Sequence, residues 1–487
     1  MQLSSLLVVL PALPLVAAET VLGTYIFHRH GDRTTKSYSP VSLTPLGADQ
    51  ALASGLWYRH QYLSANASSR IPGMATDLPV LSQLSVTSPV DNVLQGSAQV
   101  FLMGLYPPAG SAASQTLADG SSVAMPLGGY QFIPVNAVST AASSRGSEDD
   151  LWLQGGSGCG NAVASSNSYF HSSEYLAALK STQTFYQSLL PVYNTTFPSA
   201  TASFKNAYAI YDYIHVSEIH NASSTISSAG LLTNETLHQL QTRADQHEWG
   251  LAFNSSEQVR AISGSLLAAQ IVQALNNTLA APVGKTSAQK MTIQFGPYGT
   301  FMAFFGLAKA PAASPEFYGI VDYASSMVFE LVTNASLDDS AAAVSPDKVS
   351  VRFRFANGTA SNANPPRTFP LFGQTETTLP WSTFVSEMNK FAIGSNEAWC
   401  KACGPTGACA EIAQNGSSVS TAASTDGSST GGISTPVAGV IGAVVTLAVI
   451  LGLEGLIMAV AGLRLTKKGK KNDAVRKTSN SDNGSDA

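Results

Sequence analysis

Val21-Leu22-Gly23-Thr24-Tyr25-Ile26-Phe27-His28-Arg29-His30-Gly31-Asp32-Arg33-Thr34 decides the fold. Its first seven residues form a largely apolar run that reads as a buried strand. A polar loop with a glycine follows, and a helical pattern starts near Thr44 and runs to about Tyr62. The same succession recurs twice. Leu84-Ser85-Val86 leads to a helix expected from about Asn92 to Leu105. Met291-Thr292-Ile293-Gln294-Phe295 leads to a helix expected from about Thr300 to Ala308. Repeated strand-loop-helix units predict an α/β fold with a central parallel-type sheet flanked by helices, whose ligand site lies outside the carboxyl ends of the strands. The middle, roughly 110–285, carries helical patterns, as in Ser173–Leu190 and Glu257–Leu275, and reads as a mainly helical capping lobe. One folded ectodomain is expected over residues 19–412.

Both ends of the chain predict a secretory route. Residues 3–16 are almost wholly apolar and close on Val16-Ala17-Ala18, a stretch too short to span a bilayer but suited to a signal peptide occupying residues 1–18. After Glu411 the composition turns to Ser, Thr, Gly and Ala, so residues 413–436 read as a stalk that buries no core. Residues 437–463 hold a single charge, Glu454, and are long enough to cross a membrane. Seven basic residues lie in the tail 464–487, which predicts a single-pass type I protein with that tail in the cytosol. The tail also holds Asp473, Asp482 and Asp486, so it carries +4, and −9 of the net −5 belongs to residues 1–463.

Charged residues are only 12% and hydrophobic ones 44%, with a mean hydropathy of +0.09. A disordered polyelectrolyte is excluded by that balance, and the acidic net charge argues against a nucleic-acid partner. Sequons at Asn66, Asn194, Asn221, Asn234, Asn254, Asn276, Asn334, Asn357 and Asn415 predict a glycoprotein in an oxidising lumen. Cys159, Cys400, Cys403 and Cys409 then read as two disulfides with all three pairings open, since one isolated C-x-x-C makes a poor zinc site.

The first loop carries the chemistry. Two guanidiniums flank a histidine in Arg29-His30-Gly31-Asp32-Arg33-Thr34, and arginine's planar fork matches phosphate oxygens. A neutral imidazole held between fixed positive charges can attack phosphorus. His28, two positions back on the strand, reads as lining the pocket.

Directly after a hydrophobic strand, Arg29-His30-Gly31-Asp32-Arg33 resembles the R-H-G-x-R signature of the histidine acid phosphatases, branch 2 of the histidine phosphatase superfamily. Leu43-Thr44-Pro45-Leu46-Gly47 with Gly55 and Arg59 is similar to that family's L-T-x-x-G…G…R helix. Gly104-Leu105-Tyr106-Pro107-Pro108 and Gly264-Ser265-Leu266-Leu267 resemble two further family segments. The membrane-anchored layout is similar to fungal members of the superfamily. The resemblance implies a phosphoglycerate-mutase-like fold and a metal-free, cofactor-free reaction on a phosphomonoester or another small anion. His30 would be the nucleophile, and Arg29, Arg33 and Thr34 would bind the phosphoryl group.

Two positions depart from the family. Aligned on Ser97-Ala98 and Pro107-Pro108, Thr87 stands where the family has a third phosphate-binding arginine, and Pro297-Tyr298 stands where it has His-Asp, whose aspartic acid protonates the leaving oxygen. A positioned acid is worth about 10²–10⁴-fold and a charge-stabilising donor about 10²–10³-fold. Either Tyr298, Asp91 or Asp32 substitutes, or the pocket binds without turnover. The sequence thus keeps open a phosphomonoesterase and a pseudophosphatase that holds an anion or a partner at the cell surface. The oligomeric state is open as well.

Overall fold

The computed structural model describes residues 19–138, 158–220, 230–337, 343–404 and 409. The expected signal peptide, stalk, membrane span and tail lie outside the described residues, as do Asn221 and Asn415. Among the described residues no helix is long and apolar enough to cross a membrane.

Strands of the main sheet are numbered along the chain: β1 (Thr20–His28), β2 (Leu84–Pro89), β3 (Asn136–Val138), β4 (Met291–Phe295), β5 (Ser326–Thr333), β6 (Val349–Ala356), β7 (Arg367–Thr368) and β8 (Thr378–Pro380). Their order is β8-β6-β5-β1-β4-β2-β3, with β7 beside β6. The three strands expected from the repeated units sit together and run parallel, β1 with β4 and β4 with β2. The other half corrects the parallel-type expectation. β5 runs antiparallel to both β1 and β6, and β8 is antiparallel to β6, so the sheet is mixed. Among the described residues of the connection 334–348, only the short 3-10 helix Pro346–Lys348 occurs between β5 and β6, and not the crossover helix that usually returns a chain parallel.

Helices α1 (Pro45–Tyr62) and α2 (Asn92–Leu105) cover one face of the sheet. Thr44 caps α1 by accepting from the Gly47 N–H (3.0 Å), with proline at the first helical position, a standard start signal. Asp91 caps α2 through the N–H groups of Val93 (2.9 Å) and Leu94 (2.7 Å). The family-like glycines are packing devices. A Cβ on Gly31 would stand 2.1 Å from the Gly47 carbonyl oxygen, so only two facing glycines let the first loop touch the start of α1. Gly55 and Gly104 do the same where α1 crosses α2, a Cβ on Gly55 meeting the Phe101 oxygen at 2.0 Å.

The expected capping lobe needs redrawing. Numbering continues with α3 (Ala207–Ile219), α4 (Asn234–Ala252), α5 (Ile262–Leu279) and α6 (Tyr298–Leu307). α5 belongs to the main body, where Leu267, Ile271 and Leu275 join Phe301 and Phe305 of α6 in the core on the second face of the sheet. β3 is also part of the main sheet, and Ser114–Thr116 pairs with Ser122–Ala124 as a small hairpin. What remains is a helical lobe with its own aromatic core, in which Tyr186, Tyr193, Phe204 and Tyr213 surround Ile210 and Ile214 of α3. The helical stretch expected over Ser173–Leu190 is divided there into Ser173–Ser181, Gln183–Ser188 and a further turn, Leu190–Tyr193.

The cysteines form two disulfides, resolving the open pairing. Cys159–Cys403 ties the start of the helical lobe to the helix Asn396–Cys403, and Cys400–Cys409 closes a local loop. Among the described sequons, Asn66, Asn194, Asn234, Asn276 and Asn334 are exposed, while Asn254 and Asn357 are half-buried. Asn357 has a structural task, its Oδ1 accepting from the Asp322 N–H at 2.8 Å.

Candidate functional site

The carboxyl ends of β1 and β4 open onto one small pocket. The first loop leaves β1 there, and residues 320–325 run beside it. Arg29 N–H donates to the Ser325 carbonyl (2.8 Å) and Ala324 N–H to the His30 carbonyl (2.8 Å). Ala324 holds a φ of 58°, a left-handed conformation that non-glycine residues seldom adopt and that clusters at functional sites.

Tyr323 is the hub of the pocket. The His30 ring centre lies 5.6 Å from its ring, the Arg29 guanidinium carbon 4.7 Å and the Arg33 guanidinium carbon 5.8 Å. Burial pushes the Tyr323 phenol far above its usual range, so the ring is a neutral wall that offers cation–π contact. His30, Arg29 and Arg33, the core of the expected site, are therefore brought together, and all three are buried. His30 Nδ1 lies 2.8 Å from the Gly31 carbonyl oxygen. A carbonyl only accepts, so Nδ1 is the protonated nitrogen and the neutral ring keeps its lone pair on Nε2.

Thr34 is not brought in. It is exposed, and its hydroxyl accepts from the Ser42 N–H (2.9 Å) on the outer side of the loop, because successive extended residues point to opposite sides. His28 does not line the pocket either. Its ring is wholly buried between Phe101 (5.1 Å) and Phe295 (5.2 Å). Burial is the main cause that lowers its pKa to about 4, with His30 adding to it. The unfolded chain titrates near 6.5, so it takes up a proton that the folded chain refuses. This contribution to stability is present above pH 6.5 and is lost as pH falls toward 4. At 1.36 kcal/mol per pKa unit the loss is about 3 kcal/mol. Relative to wild type, His28→Phe is expected to gain about that much between pH 7 and pH 4 in denaturant titrations. An unchanged difference across that range would show that His28 titrates normally.

Thr87 lies in mid-β2, paired with Gln294 of β4 and Asn136 of β3. It lines a separate polar cavity of about 280 Å³ with Tyr25, Gln270 and Gln294 on the α5 side of the sheet. Pro297 precedes α6 and Tyr298 begins it. The Tyr298 ring lies 5.3 Å from the Arg29 guanidinium carbon, so it does border the site. Its hydroxyl donates to Glu248 Oε2 (2.8 Å), and Glu248 Oε1 meets His247 Nδ1 (2.8 Å). The phenolic proton is thus directed at a carboxylate. Of the other candidate acids, Asp91 is occupied as a helix cap, and Asp32 Oδ2 binds His220 Nε2 (2.7 Å) and the Thr44 hydroxyl.

Most of the remaining lining was not anticipated from sequence. One face of α3 presents Tyr208, Tyr211, Asp212 and His215. Arg33 Nη2 pairs with Asp212 Oδ1 (2.9 Å) and donates to the Tyr208 hydroxyl (3.0 Å). His215 stacks on Tyr211, and burial lowers its pKa. Lys36 extends its ammonium over Tyr208 (5.4 Å) and Tyr298 (5.8 Å) at the mouth. Behind the wall, Asp245 accepts from the Ile320 N–H (2.8 Å), and burial raises its pKa to about 6. The expected positive pocket is therefore charge-compensated: Arg29, Arg33 and Lys36 face Asp32, Asp212, Glu248 and Asp322. Beside Arg29, a pocket of about 20 Å³ lies among Tyr208, Asp212, His215 and Asp322, room for at least a water.

The family model described as histidine phosphatase superfamily (branch 2) matches residues 36–355, beginning just after the first loop. No curated relative matches the sequence. Among solved structures, the phytase of Citrobacter braakii superposes with a TM-score of 0.52 at 14% identity, covering 77% of this chain and 98% of its own. Klebsiella sp. ASR1 phytase gives 0.51 at 10% identity, covering 78% and 99%. Hafnia alvei phytase in complex with tartrate gives 0.50 at 12%, covering 78% and 98%. At these identities the likeness shows the shared fold.

Proposed function

Because the chain belongs to branch 2 of the histidine phosphatase superfamily, we propose that it hydrolyses phosphomonoesters through a phosphohistidine at His30, outside the cytosol, favouring esters whose leaving oxygen needs little protonation. The carrying observation is the His30–Gly31 contact, which leaves the Nε2 lone pair as the nucleophile of the neutral ring. Nε2 attacks phosphorus, the P–N bond forms and the bond to the ester oxygen breaks. Water then attacks the phosphohistidine, releasing inorganic phosphate and restoring the ring. Arg29 and Arg33 would stabilise the transferring group, the larger part of such catalysis.

Leaving-group dependence follows from Tyr298. With its proton committed to Glu248, no group at the family's aspartate position is set to protonate an alkoxide. A missing acid costs about 10²–10⁴-fold for alkyl esters and much less for aryl ones. The secretory signal, stalk, span and basic tail read from the sequence support a type I membrane protein with this domain in an extracytoplasmic compartment.

A second reading has its own support. The buried Arg33–Asp212 pair consumes half of the expected clamp, which favours a pseudophosphatase that binds an anion or a partner without turnover. Kinetics of the full-length chain at pH 5 separate the two. The first reading expects kcat/KM for p-nitrophenyl phosphate to exceed that for glycerol phosphate by about 10³-fold. Equal rates would mean that a working acid is present. No turnover of either ester leaves the binding-only reading.

A further inference from the structure

The Asp212 carboxylate sits in a built cradle. Oδ1 meets Arg33 Nη2 at 2.9 Å, while Oδ2 accepts from the Thr35 hydroxyl at 2.8 Å and from the Lys36 backbone N–H at 2.9 Å. A guanidinium, a hydroxyl and a backbone N–H converging on two oxygens is the donor set that proteins present to phosphate. All of these donors come from the first loop, whereas the acceptor comes from α3 in the helical lobe. Asp212 and Arg33 are both buried, so solvent screens the pair weakly.

We propose that Asp212 is the resident anion of the phosphate subsite, a carboxylate standing where a phosphoryl group must enter, so that α3 has to lift its side chain off Arg33 before substrate can bind. This rests on the reading of the first loop as a phosphate site. Three further observations agree with it. Asp212 and Tyr208 line the pocket beside Arg29. Tyr208 of the same helix donates no charge but binds the same guanidinium nitrogen, Nη2, at 3.0 Å. At the far end of α3, His220 rests on Asp32 at 2.7 Å, so the helix spans the loop from end to end. An anion that shares a cradle with a fixed carboxylate meets like charge. Removing the carboxylate's charge while keeping its shape must therefore favour phosphate.

The test reads binding, not turnover. In calorimetry with inorganic phosphate at pH 6, the full-length Asp212→Asn chain is expected to bind at least about tenfold more tightly than wild type. Adding Arg33→Gln should abolish the gain. A folded Asp212→Asn chain that binds phosphate no better than wild type overturns the proposal. Should that variant not fold, crystals of the wild-type chain soaked in phosphate decide. Phosphate beside Arg33 with Asp212 turned away supports it. Phosphate bound elsewhere with the Arg33–Asp212 pair intact, or no phosphate at all, overturns it. The two readings fail separately. A chain that hydrolyses nothing, yet binds phosphate more tightly as Asp212→Asn, loses the catalytic reading and keeps this one. Aryl phosphate turnover with equal phosphate affinity in both forms does the reverse.

Discussion

His30→Ala is expected to lower turnover of p-nitrophenyl phosphate by about 10³-fold or more, because the nucleophile is removed while Arg29, Arg33 and the walls of the pocket stay. The expectation is specific to chemistry at Nε2. His30 is fully buried and its Nδ1–H is tied to Gly31, so alanine leaves a ring-sized space beside Tyr323. Imidazole added to the variant should partly restore turnover, which a loss of folding would not permit. Quenched wild-type reactions with a labelled aryl phosphate should trap protein-bound phosphate that survives alkali and is lost in acid, as a phosphoramidate is. Equal turnover by the two chains would remove His30 from the mechanism. An alkali-labile or acid-stable adduct would place the phosphoryl group on another residue.

The parallel half of the sheet was legible because its signals are local. An apolar run, a turn and a cap followed by a helical stretch are contiguous in residues 21–62 and again in 84–105, and α2 begins and ends where the pattern predicts. The antiparallel half was not read, although Val349-Ser350-Val351-Arg352-Phe353-Arg354-Phe355 alternates as a half-exposed strand should. Its partner β5 is buried along its whole length and shows no alternation. The buried Glu330 in β5, bound by Arg352 (2.6 Å) and Arg354 (3.0 Å), looks in sequence like an isolated charge. The site divides in the same way. Arg29, His30 and Arg33 lie within five residues and announce themselves, whereas Tyr208, Asp212 and Tyr323 reach the pocket from distant segments. α3 hides its role because it has two masters, with Ile210, Tyr213 and Ile214 in the lobe core and Tyr208, Asp212 and His215 on the pocket. Helical periodicity reports that α3 has a buried face. It does not report that the opposite face is also covered.

Tyr298→Asp is expected to raise kcat for glycerol phosphate by about 10²-fold, the lower part of the range for a positioned general acid, and to change p-nitrophenyl phosphate turnover by less than tenfold. The position is right. Tyr298 opens α6 directly after β4, beside Arg29, and its phenol is turned to Glu248 rather than to the pocket. An aspartate there is too short to repeat the Glu248 contact. The neighbouring Glu248 carboxylate disfavours a second negative charge and so favours the protonated acid at pH 5. Loss of the ring from the core beside Phe301 and Met302 costs about 3 kcal/mol, so thermal unfolding must accompany the kinetics. Tyr298→Phe is the control. It keeps the ring and removes the hydroxyl, and its aryl phosphate turnover should stay within about threefold of wild type, since the phenolic proton is donated to Glu248. A 10²-fold fall in Tyr298→Phe would make the phenol itself the acid. If folded Tyr298→Asp leaves the glycerol phosphate rate unchanged, proton donation is not what limits this site, and the occupied Arg33 cradle becomes the barrier that remains.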